Sequence, residues 1–277
     1  MGRRGARPVI RLAIRVSREH AEIVLAELAE VAPGGLEERD VDADTVEFAI
    51  YGAPGELPPL PDLKAAAGPA LVDVSSTELE DDWDVRWRTW HPAVVVEGGG
   101  RTLRVRPPWE EARPDTIDVA IEPAQAFGTG AHETTRLSLQ LLMELDAHGP
   151  LADWGCGSGV LAIAAAKLGF APVTACDVEA ASVAATRDGA RDNGVEVTVS
   201  RCDLRRAAGP YAATVTANLV RPLLLEVAAN LEASPDRMIV SGLLRHQADE
   251  VAAAFTRHRE TARREGGEWS ALLLEAR

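Results

Sequence analysis

The stretch "LADWGCGSGVLAIAAAKLG", residues 151–169, decides the fold. It sets a short apolar run before three glycines on alternate positions, Gly155, Gly157 and Gly159, and follows them with an alanine-rich segment that reads as a helix. In an open parallel sheet, ligands bind beyond the carboxyl ends of strands, where the first strand turns into its helix. Glycine is needed there because a side chain would obstruct close approach of a ligand to the backbone, and because a tight turn favours positive φ. The spacing is GxGxG: position 160 is Val, so the dinucleotide fingerprint GxGxxG fails at its third glycine.

The segments around this loop alternate in the manner of a parallel sheet covered by helices. "PLADW" (150–154), "PVTACD" (172–177), "VEVTVS" (195–200), "AATVTAN" (212–218) and "RMIVSGL" (237–243) read as strands, each followed by a helical pattern. The chain then closes with two strand-like runs around Gly266 and Gly267, a terminal antiparallel hairpin. Residues 112–277 are therefore expected to form an α/β, Rossmann-like domain. Residues 1–79 carry a different order. A strand "VIRLAIRV" precedes a helix with Ser17 as a possible cap and Ile23, Val24, Leu28 and Val31 on one face; then come two strands, a proline-rich loop, a short helical piece and "ALVDVSSTEL". That order predicts a small ferredoxin-like α+β domain without a catalytic constellation. Between the two, residues 80–111 read as a connector, with Trp83, Trp87 and Trp90 on one helical face for docking between domains and "GGG" at 98–100 as a hairpin turn.

Composition bounds the function. The 277 residues are 46% hydrophobic, enough for a sizeable core, and the basic start lacks the continuous apolar run of a signal peptide or membrane span, so a soluble cytoplasmic protein is expected. Three cysteines, Cys156, Cys176 and Cys202, without a CxxC pair argue against a disulfide framework or a zinc site. A net charge of −14 disfavours nucleic acid and suits a basic partner, or serves solubility alone.

Two carboxylates refine the ligand. Asp177 closes the second strand of the α/β segment, where it can accept hydrogen bonds from both hydroxyls of a ribose, and Asp203 in "SRCDL" is placed to meet the edge of an adenine. Each alone reads as an ordinary surface acid; with the glycine loop they indicate a nucleoside.

These residues resemble class I methyltransferases, whose first motif is an acidic residue followed by GxGxG, here "DWGCGSG" with Asp153. A second motif narrows the resemblance. "AFGTGAHETT", residues 126–135, looks like the "AFGTGHHETT" loop of the methyltransferases of ribosomal protein L11, the PrmA family, and "ANL" at 217–219 and "SGLLRHQ" at 241–247 resemble its other segments. The resemblance implies S-adenosylmethionine as cofactor, ribosomal protein L11 as the substrate partner, methylated on lysine side-chain and N-terminal amines, a substrate-recognising first domain, and a monomer; the alternatives are a methyltransferase of another protein or small amine and, further off, a non-catalytic cofactor-binding module. It carries the family's cofactor contacts to Thr135, Gly155, Asp177 and Asn218, with Gly157 and Asp203 in the same site. Departures are Ala124 in place of a usual glycine, and Pro172 and Gly189 within otherwise familiar segments.

Methyl transfer is an in-line displacement that mainly requires aligning an amine lone pair, with no metal or covalent intermediate. A lysine of pKa about 10.4 costs about 4.6 kcal/mol to deprotonate at pH 7, and an apolar pocket lowers that cost. Asn218 is the expected catalytic residue, its side-chain or neighbouring carbonyl oxygen orienting the amine; its other reading is a cap for the following helix. His132 and Glu133 could relay a proton, or Glu133 and Thr134 could simply favour a helix start, and Phe127 could close over the cofactor or pack in the core.

Overall fold

The computed structural model describes residues 9–21, 37–52, 60–79, 92–123, 132–231 and 233–277, together with positions 24, 25, 28 and 57. The chain divides into two units, residues 1–91 and 92–277.

In the first unit, strand β1 (Val9–Ser17) pairs antiparallel with β3 (Thr45–Gly52) and with β4 (Leu71–Leu79), and β2 (Glu37–Asp40) flanks β3, giving the order β2-β3-β1-β4. Period-two alternation sends Leu12, Ile14, Val16, Val46, Phe48 and Ile50 to one face, against Val24, Leu28 and Leu63, the last from helix α1 (Leu60–Ala67). Of the expected apolar helix face, Val24 and Leu28 are buried, while Ile23 and Val31 lie outside the described residues. Ser17 does not cap that helix. It precedes a 3-10 turn at Arg18–His20, and its hydroxyl meets His20 Nδ1 at 3.1 Å. On the opposite face the buried carboxylate of Glu47 accepts from Arg11 at 2.6 Å, Arg15 at 2.7 Å and Arg39 at 3.1 Å, which offsets its desolvation and holds its pKa below the usual glutamate value.

The second unit begins earlier than the sequence suggested. Strands β5 (Val94–Gly98) and β6 (Arg101–Arg106) form the hairpin expected around "GGG", with Gly99 and Gly100 at φ +56° and +70°. β6 then pairs in parallel with β7 (Ile117–Ala120). Val96, Leu103, Val105 and Val119 enter the same core as Leu139, Leu142 and Met143 of helix α2 (Glu133–Glu144), so residues 92–111 belong to this unit and are not a connector. The tryptophans Trp83, Trp87 and Trp90 lie outside the described residues.

The central sheet has the order β10-β9-β8-β11-β12-β14-β13. Its strands β8 (Leu151–Trp154), β9 (Val173–Asp177), β10 (Thr198–Arg201), β11 (Thr214–Asn218) and β12 (Arg237–Leu244) are parallel and coincide with the five expected segments, β10 being the shortest fit because 195–197 stay outside it. The terminal hairpin, β13 (His258–Gly266) and β14 (Trp269–Ala276), joins in an order the sequence does not announce: β14 lies antiparallel between β12 and β13. Helices α3 (Val160–Leu168), α4 (Ala180–Asp192), α5 (Arg221–Ala229) and α6 (Ala248–Ala254) complete the layers. Gly189, a weak residue for a helix interior, lets α4 approach α3: a Cβ there would stand 3.0 Å from Ile163 Cδ1. No helix among the described residues is long and apolar enough to cross a membrane.

Candidate active site

The site lies where the order of the parallel strands reverses, at the carboxyl ends of β8, β9 and β11. Gly155, Gly157 and Gly159 all have positive φ, +74°, +52° and +83°, so the chain can leave β8 in a turn that an L side chain would strain. Close packing adds to that demand. A Cβ on Gly155 would fall 2.3 Å from Leu219 Cδ2, and one on Gly159 would meet Thr186 Cγ2 at 2.8 Å.

A cleft of about 190 Å³ opens beside this loop, lined by Gly155, Gly157, Asp177, Asp203, Leu219 and Leu223 among others. It joins the glycines and both carboxylates expected from the sequence. Asp177 also organises the loop: its carboxylate accepts from the Gly157 N–H at 3.0 Å and the Glu179 N–H at 2.9 Å. An ionised carboxylate has about four acceptor positions, so capacity for a diol remains. Asp203 accepts from the Arg205 N–H at 3.1 Å and pairs with exposed Arg206 at 3.4 Å, a contact of little energetic weight. A larger hollow of about 440 Å³ between Ile121 and α4 contains neither carboxylate, so size alone does not identify the site.

Beneath the loop, Asp153 is fully buried. Its Oδ1 accepts from the Thr216 hydroxyl at 2.7 Å, and Oδ2 has no hydrogen-bond partner among the described residues. Burial pushes its pKa up to about 7, against the Thr216 bond and the Ala162 amide, which stabilises the charge without closing a hydrogen bond to Oδ2; negatively charged Asp177 adds to the rise. Burial likewise pushes the Cys156 thiol up to about 12 and raises that of Cys176, leaving neither suited to nucleophilic work.

A second cluster forms at the end of β11. The Asn218 carboxamide contacts Thr134 Oγ1 at 3.2 Å and Thr135 Oγ1 at 3.5 Å, so Thr135 and Asn218, 83 residues apart, meet. His132 is the N-cap of α2, its Nδ1 accepting from the Thr134 N–H at 3.3 Å. Asn218 itself is the last residue of its strand, and α5 starts only after Val220, so Asn218 does not cap that helix. Phe127 lies outside the described residues.

Sequence reasoning missed Leu219, Leu223 and Thr134. Leu219 had one signal, a position directly after Asn218. Its importance is visible only in three dimensions, because Gly242 too is required by it: a Cβ on Gly242, at φ +85°, would lie 2.3 Å from the Leu219 carbonyl oxygen.

The strand order, with one antiparallel strand inserted near the edge, and the glycine loop facing two carboxylates define a class I methyltransferase. The model of the ribosomal protein L11 methyltransferase (PrmA) family matches residues 62–277. The chain belongs to that family. It is 33% identical over 276 residues to the ribosomal protein L11 methyltransferase of Burkholderia ambifaria, covering 89% of this chain and 91% of that one. The corresponding protein of Geobacter metallireducens is 37% identical over 221 residues, 76% of this chain and 71% of its own. Among solved structures, the ribosomal protein L11 methylase of Lactobacillus delbrueckii subsp. bulgaricus aligns with a TM-score of 0.59 at 27% identity, over 66% of this chain and 98% of that one.

Proposed function

We propose that the protein transfers methyl groups from S-adenosylmethionine to lysine side-chain and N-terminal amines of ribosomal protein L11. Family membership over residues 62–277 is the observation that carries this reading. The cleft supports the cofactor: Gly155 and Gly157 leave room for a ligand against the backbone, Asp177 offers acceptors to ribose hydroxyls, and Asp203 faces the same space for an adenine edge. Thr135 adds a buried hydroxyl beside Asn218.

When bound, the cofactor supplies an electrophilic methyl carbon. The chain's own part is to desolvate and aim the amine. Leu219 and Leu223 give the cleft an apolar wall, which disfavours an ammonium and reduces the roughly 4.6 kcal/mol needed to deprotonate lysine at pH 7. Asn218 accepts a hydrogen bond from the neutral amine and turns its lone pair toward the methyl carbon.

The first unit is read as a ferredoxin-like domain that recognises the substrate protein. Its strand order β2-β3-β1-β4, with helices between β1 and β2 and between β3 and β4, supports that reading. A basic ribosomal protein suits a chain of net charge −14. A monomeric, cytoplasmic enzyme fits that substrate.

The test is mass spectrometry of purified ribosomal protein L11 incubated with the protein and S-adenosylmethionine. Methyl mass on L11 amines is expected. No methyl mass on L11, with transfer to another ribosomal protein, would reassign the substrate.

A further inference from the structure

The hydrogen bonds that run from His132 through Thr134 to Asn218 have a direction, and we propose that this direction fixes which way the Asn218 carboxamide faces. His132 and Thr134 would then be positioning residues for methyl transfer. The proposal rests on the reading of Asn218 as the group that receives the amine.

A carboxamide turned by 180° fills the same space, and a threonine hydroxyl can either accept from its nitrogen or donate to its oxygen. One fixed donor removes the ambiguity. The Thr134 backbone N–H, which can only donate, lies 3.3 Å from His132 Nδ1, so that nitrogen carries a lone pair and the ring proton sits on Nε2. Thr134 Oγ1 is 2.8 Å from the same Nδ1 and therefore donates to it. With its single proton used, Oγ1 can only accept from Asn218, and the atom at 3.2 Å is the amide nitrogen. Asn218 Oδ1 is thereby directed away from the threonines, as the acceptor for an amine. A turned carboxamide would set two oxygens together with no proton between them.

The surroundings preserve this arrangement. Thr134 is 1% exposed, so water does not compete for its hydroxyl, and its carbonyl accepts from Ser138 at 2.8 Å and Ser241 at 3.1 Å. The His132 ring packs edge-on against Trp269, with centroids 4.9 Å apart. From sequence His132 reads as a candidate proton relay; the geometry gives it a different task, that of orienting a hydroxyl.

The experiment measures single-turnover methyl transfer to ribosomal protein L11 at saturating S-adenosylmethionine for Thr134→Val, Thr134→Ser, Asn218→Ala and the double variant T134V/N218A. Thr134→Val keeps the side-chain shape and should slow transfer by about ten- to a hundredfold, in the range that misplacing a reacting group costs. Thr134→Ser should restore most of the rate. The double variant should be no slower than Asn218→Ala alone, because Thr134 acts only through Asn218. A wild-type rate for Thr134→Val, a Ser variant as slow as Val, or a multiplicative loss in the double variant would each overturn the proposal. If Thr134→Val does not fold, His132→Ala carries the same cycle from a half-buried position. A slow Asn218→Ala with an unaffected Thr134→Val would sink the positioning role alone; an unaffected Asn218→Ala would sink the reading of Asn218 as well.

Discussion

Replacing Asp153 with Asn should make the protein more stable, and increasingly so as pH rises. The wild-type carboxyl has its pKa raised from 3.8 to about 7 by complete burial, with one oxygen unpaired. Between those values the folded state keeps a proton that the unfolded chain gives up, so the stabilising contribution is complete below pH 3.8 and is lost as pH rises through about 7. At about 1.36 kcal/mol per pH unit, stability falls by a few kcal/mol at most between pH 5 and pH 8 from this group alone. The carboxamide of the variant does not titrate and contributes no such dependence. It can still pair with the Thr216 hydroxyl, which accepts or donates, although its nitrogen would face the Ala162 amide less favourably than an oxygen does. The stability difference between the D153N variant and the wild-type protein should therefore widen from pH 5 to pH 8, by several degrees of thermal midpoint for a unit of this size. Denaturant unfolding of both proteins at the two pH values is the assay. Curves that stay parallel across the range would refute the raised pKa and the reasoning from burial.

Three further outcomes are expected. Asp177→Ala removes the acceptor for the Gly157 and Glu179 amides as well as for a ribose, so S-adenosylmethionine affinity measured by calorimetry should fall by about ten- to a hundredfold, at about 1.5–3 kcal/mol per charge-assisted bond; a change within twofold would remove the ribose assignment. A chain cut to begin at residue 92 should fold and bind cofactor but fail on intact ribosomal protein L11, whereas a cut at 112 discards Val96, Leu103 and Val105 from the core and should lower the thermal midpoint sharply. Gly155→Ala should weaken cofactor binding through both its φ of +74° and its collision with Leu219 Cδ2, and adding Leu219→Ala should recover part of the loss; no recovery would mean that backbone strain alone is responsible.

Four of the five parallel strands were legible because each is a short apolar run bounded by turn residues, with most of its positions buried; β10, at the sheet edge with only Val199 buried, was legible from its β-branched residues. The "GGG" turn was legible for a local reason too, since consecutive positive φ values suit glycine. What that hairpin packs against was not. Gly98 and Gly99 are tight against the backbone of α2, where a Cβ on Gly99 would stand 2.2 Å from the Met143 carbonyl oxygen, a long-range contact that no local pattern encodes. In the site, residue types announced the glycines, Asp177, Asp203 and Asn218. Their partners stayed hidden: Thr134 reads as one more helix-start threonine until β11 brings Asn218 to it, and Asp153 reads as a motif acid until its burial is known.

The placement of β14 has a consequence for the order of assembly. During synthesis β13 leaves the ribosome before β14, yet in the sheet β13 pairs with β14 alone, while β14 pairs with β12. The earlier-made strand therefore has no template until the later one arrives, and β12 meanwhile presents an open edge. The apolar "ALLLEA" segment of β14 thus completes two pairings at once, with the edge of β12 and with the waiting β13. The arginines and glutamates of β13, "HRETARREG", keep that waiting strand soluble in the interval.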